Sequence, residues 1–165
     1  MKNVDARFAK SKYVEVSELG SRFNLSFSSH LVLRKKIIAL DGLKKCILVM
    51  ETDAASNQPY VIDLNKVASV TVKQSYGSIN QGELKNKDIS AFLKRVDLQF
   101  EFSNTSETIV LPFYERGSDE QSDLPKLDRN AKIWQMILSK LTGSQTEKKE
   151  VLLCEIKNQF QQVEL

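Results

Sequence analysis

The stretch KRVDLQFEFSNTSETIVLPFY, residues 94–114, decides the fold. Val96, Leu98, Phe100 and Phe102 alternate with Asp97, Gln99 and Glu101, the two-residue period of a strand with one buried face. Ser103-Asn104-Thr105-Ser106 turns the chain, and Ile109, Leu111 and Phe113 supply a second apolar face. Antiparallel pairing lays these seven side chains on one side of a sheet. At about 1.5–3 kcal/mol for each one fully buried, the hairpin is a major part of the core. On such a strand Asp97 and Glu101 lie about 13 Å apart, too far for a catalytic carboxylate pair, so cross-strand pairing or solvation suits them better.

Upstream, Tyr13-Val14-Glu15-Val16 reads as a short strand, and Phe23, Leu25 and Phe27 alternate within the Ser-rich 21–29 segment, as a strand or covering loop. Residues 31–40 and 43–51 are apolar runs flanking Asp41-Gly42. Asp-Gly between two such runs is a strong hairpin signal, because glycine tolerates positive φ in a two-residue turn. A short strand at Tyr60–Asp63, a turn at Leu64-Asn65-Lys66 and a returning strand at 67–74 follow. Residues 75–87 form a loop rich in Gly, Ser, Asn and Lys, and 114–127 an acidic one.

Downstream come two helical patterns. Asp128 is placed as an N-cap, with Ile133, Trp134, Ile137, Leu138 and Leu141 at helical spacing before Gly143. Ser144-Gln145-Thr146-Glu147 is a capping box opening a last helix to about residue 162, with Leu152, Leu153, Ile156, Phe160 and Val163 on one side. That stripe marks a candidate assembly helix, through which a homodimer could form if it does not pack on its own domain.

At 165 residues, 41% hydrophobic and 27% charged, the chain has the composition of one soluble domain with appendages. Its net charge of +3 sits locally: Arg34, Lys35, Lys36, Lys44 and Lys45 outnumber Asp41 and Glu51 by three between residues 34 and 51. These five cations are the candidate contact for an anionic surface. The plainer reading is a solvated strand edge that discourages aggregation. Exposed aromatics between the bases are missing, which disfavours nucleic acid. The six charges between Leu31 and Met50 exclude a membrane-spanning helix. No secretory h-region opens the chain, and Cys46 and Cys154 read as buried free thiols. The expected location is the cytoplasm, with the inner face of a membrane as a place of association.

Chemistry-bearing motifs are sparse. His30 is the lone histidine and no GxSxG accompanies it. Residues 77–84 mimic P-loop spacing but place Glu83 where the phosphate-binding lysine belongs, and a carboxylate there repels phosphate. The acidic loop lacks an EF-hand's ligand order. The expectation is no catalysis, no metal and no cofactor.

Taken in order, a meander of six or seven antiparallel strands closes with an amphipathic helix. This resembles the pleckstrin-homology-like barrels, including the bacterial PH and GRAM groups, through the Tyr60–Val67 turn leading to Val70 and Val72 and through the closing helix with Trp134. The resemblance implies an α+β fold: an N-terminal extension (1–30), a PH-like barrel (31–142) and a helical extension (143–165). It further implies a non-catalytic interaction module contacting a protein or an anionic membrane. The alternative from a different class is a small-ligand barrel or cryptic enzyme with residues 75–87 as lid. Phosphoinositide-binding members carry their lipid-contacting bases on a longer first inter-strand loop than Asp41-Gly42.

Overall fold

The computed structural model describes residues 13–53 and 58–142. The fold is α+β: a four-stranded and a three-stranded antiparallel sheet, and a helix after the last strand. Among the described residues no strand ladder joins the two sheets, and the expected closed barrel is not found. The chain divides into two compact units, meeting in sequence at Leu64 and Asn65.

In the first unit a helix, α1, runs over residues 13–22, where a strand was expected over residues 13–16. Val16, Leu19 and Gly20 recur at three- and four-residue spacing, and Val16 joins Ile37, Ala39 and Met50 in one buried cluster edged by Leu19 and Phe27. Burial of that stripe outweighs the strand preference of Tyr13, Val14 and Val16. A Cβ on Gly20 would stand 2.7 Å from the Phe27 ring, so this glycine lets the ring close over the helix.

Four strands follow in sequence order: β1 (Ser29–Val32), β2 (Lys36–Asp41), β3 (Cys46–Glu51) and β4 (Tyr60–Asp63). The run expected as one strand from Leu31 to Leu40 is therefore two. Leu33, Arg34 and Lys35 reverse the chain, closed by Leu33 N–H to Lys36 O at 2.8 Å. Ile37 to Leu40 and Ile47 to Met50 are all buried, so both faces of the β2–β3 pair are covered. That explains continuous apolar runs without alternation.

The second unit holds β5 (Val67–Tyr76), β6 (Leu93–Phe102) and β7 (Thr108–Glu115), then α2 (Leu124–Ser139). The organising hairpin has its expected inner face: Val96, Leu98, Phe100, Leu111 and Phe113 are buried, while Phe102 and Ile109 near the tip are half-buried. Leu98 pairs with Leu111 and Phe100 with Ile109. A register shift at Val96/Asp97 leaves Phe113 between the paired residues Pro112 and Tyr114. Asp97, expected on the solvated face, is buried and takes an ion pair from Arg95 at 3.0 Å.

α2 begins at Leu124, one turn before the expected cap at Asp128. Pro125 suits a first turn, where its missing N–H would have no partner. Leu124, Ala131, Trp134 and Leu138 form the inward row. Gln135 accepts the Val72 N–H at 3.0 Å, which holds α2 against β5. Trp134→Ala is expected to lower the unfolding free energy by about 3–5 kcal/mol, as core tryptophan truncation does. A loss below about 1 kcal/mol in a urea titration would mean that the helix does not close this core.

Candidate functional site

The five predicted cations do not converge. The two-residue turn expected at Asp41-Gly42 is a four-residue loop, residues 42–45, closed by the Asp41–Cys46 pair. Lys36 consequently stands opposite Glu51 instead of Ile47, and Ile38 opposite Val49 instead of Lys45. The positive φ falls on Lys45 at 55°, not on Gly42. Arg34 and Lys35 occupy the β1–β2 turn, while Lys44 and Lys45 occupy the β2–β3 loop, at the other end of β2. A six-residue strand separates these ends by about 20 Å. Glu51 and Asp53 lie at the first end, and Asp41 and Asp63 at the second.

Asp41 explains the loop. Asp41 is 2% exposed as a residue, and its carboxylate accepts three backbone N–H groups: Leu43 at 3.0 Å, Lys44 at 2.9 Å and Ser26 at 2.9 Å. The Lys44 and Ser26 donors do most to hold its pKa below the ordinary 3.8, against the opposing effect of burial. Lys44 Nζ donates in turn to Asn24 O. One carboxylate therefore ties the segment after α1 to the β2–β3 loop.

His30 has a structural setting. Its ring meets Tyr13 edge-on at 4.4 Å, and its Nε2 shares a hydrogen bond with the Tyr13 hydroxyl. Cys46 is free and half-buried; burial first, then Asp63 and Asp41, raise its thiol pKa and weaken it as a nucleophile. In the P-loop-like stretch, Glu83 turns back to accept the Asn80 N–H at 2.9 Å. Among the described residues no group of three or more His, Cys, Asp or Glu side chains could hold a metal, and no helix is long and apolar enough to cross a membrane. The candidate assembly helix and Cys154 lie outside the described residues.

The feature missed in the sequence is a groove of about 430 Å³ in the second unit, between the 88–93 segment and the start of α2. Ile89, Leu93, Leu124 and Pro125 give it apolar walls. A polar row runs along one side: Tyr76 OH donates to Gln74 Oε1 at 3.0 Å, and Gln74 Nε2 to Asp128 Oδ1 at 2.7 Å. Lys132 holds the other Asp128 oxygen at 2.6 Å. Of residues 75–87, Tyr76 alone lines the groove. The row joins residues 54 apart in sequence, so no local spacing announces it.

No protein-family model, curated protein or solved structure matches the chain.

Asp41 supplies a prediction with a definite sign. A carboxylate whose folded pKa is depressed stabilises above its unfolded pKa, and that contribution fades as pH falls through the folded value. Asp41→Asn is expected to cost about 1–3 kcal/mol near pH 7, because its amide presents N–H to donors that need an acceptor. The gap between wild type and variant should narrow as pH falls below about 4, where the unfolded carboxylate takes up its proton while the folded one, held lower, still resists. Urea titrations at pH 7 and pH 3 measure both.

Proposed function

We propose that this chain is a non-catalytic interaction module on a pleckstrin-homology-like plan, and that its contact is with another protein. The observation that supports the plan is the element order: a four-strand meander, a short 3-10 turn at Leu64–Lys66, a three-strand meander, then a helix with Trp134 in its inward row. Charge favours protein over membrane. Anionic lipid rewards bases gathered on one surface, whereas here they divide between two ends, each shared with two carboxylates. The groove beside α2 is the contact surface in this reading. It offers exposed Tyr76 and Ile89 for anchoring beside the polar row for orientation, the combination that gives a site both affinity and direction.

Selecting a displayed peptide library on the wild-type protein tests the groove. Selected peptides are expected to lose at least about tenfold in affinity on Ile89→Asp and on Tyr76→Ala, with circular dichroism unchanged. Peptides that bind both variants as well as wild type would remove the groove from consideration.

One observation favours a second reading, association with an anionic membrane. The first inter-strand turn is now the one bearing Arg34 and Lys35, the place where lipid-binding relatives of the resemblance carry their bases. Co-sedimentation with phosphatidylserine vesicles at low salt decides between the two readings. The protein-contact reading expects no pelleting. Pelleting abolished by Arg34→Glu with Lys35→Glu, but kept in Lys44→Glu with Lys45→Glu, would establish the membrane reading instead.

A further inference from the structure

The groove beside α2 is one-sided in charge. Two aspartates line it, Asp88 from the 88–93 segment and Asp128 from α2, and no lysine or arginine does. Residues 117–125, which supply Gln121, Leu124 and Pro125 to the lining, add Asp119, Glu120 and Asp123 and no base. The neighbouring bases are accounted for. Lys87, next to Asp88, pairs with Glu83 at 3.9 Å and stands 5.9 Å from the centre of the Phe92 ring. Lys73, Lys94, Lys126 and Arg129 flank the lining elements in sequence without lining the groove.

The two aspartates differ in what they can still accept. Asp128 is engaged at both oxygens, by Gln74 at 2.7 Å and by Lys132 at 2.6 Å. The Asp88 carboxylate accepts the Ser90 hydroxyl at 3.2 Å, and among the described residues no base pairs with it. A cleft with apolar walls and one sign of charge focuses its field on the opposite charge. Exposed Ile89 follows Asp88 directly, and Tyr76 lines the same groove. A guanidinium suits that setting better than an ammonium: its flat fork matches a carboxylate, and its face can lie on a tyrosine ring.

We propose that the groove takes a peptide segment of another protein in which an arginine stands next to a large apolar residue. The arginine pairs with Asp88, and the apolar residue packs against Ile89. This rests on the protein-contact reading of the groove and adds the chemistry of the partner to it.

Peptides selected on the wild-type protein from a random displayed library are the probe. Arginine beside a large apolar residue is expected among them. Asp88→Asn should weaken such a peptide by about tenfold, with circular dichroism unchanged. Raised salt should weaken it on the wild type, but not its version with glutamine in place of arginine. That salt comparison needs no change to the protein, so it decides the matter even if Asp88→Asn disturbs the fold. Ile89→Ala leaves the charge alone and reads the groove itself. Peptides that lose affinity on Ile89→Ala but lack bases, or that keep their affinity on Asp88→Asn, would overturn the arginine assignment and leave the groove reading standing. Peptides that bind Ile89→Ala as well as wild type, or a library that yields no binder, would remove both.

Discussion

The first unit depends on a single buried carboxylate. Asp41 gives up hydration, and three backbone N–H groups replace it, which is the condition for a buried charge to stabilise rather than disrupt. Two of those donors lie inside the 42–45 loop, so Asp41 sets the loop at four residues. Loop length then sets the register of β2 on β3, and register decides what stands opposite each lysine. The third donor, Ser26, brings the segment after α1 to the other oxygen of the same carboxylate, and Ser28 N–H reaches Leu40 O nearby at 2.8 Å. The turn, the register and the seating of the helix answer to one side chain.

That dependence explains which parts of the fold could be read in the residues. The β6–β7 hairpin was legible because polar and apolar residues alternate along it, so its period shows even though Asp97 on the polar side is buried, and its polar tip marks the reversal. The β2–β3 pair is buried on both faces, and its register left no trace in the pattern. Asp41-Gly42 announced a hairpin correctly but misled on its length, because the aspartate acts through its side chain rather than by flanking a tight turn. The reversal at Leu33-Arg34-Lys35 has no Gly, Pro, Asn or Asp, and the 13–22 helix is disguised by valines. In both cases burial of specific side chains, Leu33 and Val16, outweighs local preference.

The candidate sites follow the same division. Composition showed the excess of bases near residue 40, yet closeness in sequence does not gather them, because the β1–β2 turn and the β2–β3 loop stand at opposite ends of β2. The groove beside α2 had no local signature. Its polar row needs the end of β5 to meet the first turns of α2, and that meeting is made by Gln74, Asp128 and Gln135 across more than fifty residues of chain.

How this protein can make contacts is constrained by how its sheet edges end. β1 and β4, the edges of the first sheet, are four residues each, and short edges are poor templates for an added strand. In the second sheet, β5 has its Val72 N–H taken by Gln135, and β7 carries Pro112, which has no donor to offer. Strand addition is thus discouraged at every edge of both sheets. What stays open is side-chain surface: the groove walled on one side by Leu124, Pro125 and Asp128. The helix that closes the core with its inward row therefore also carries, at its first turns, one wall of the contact surface.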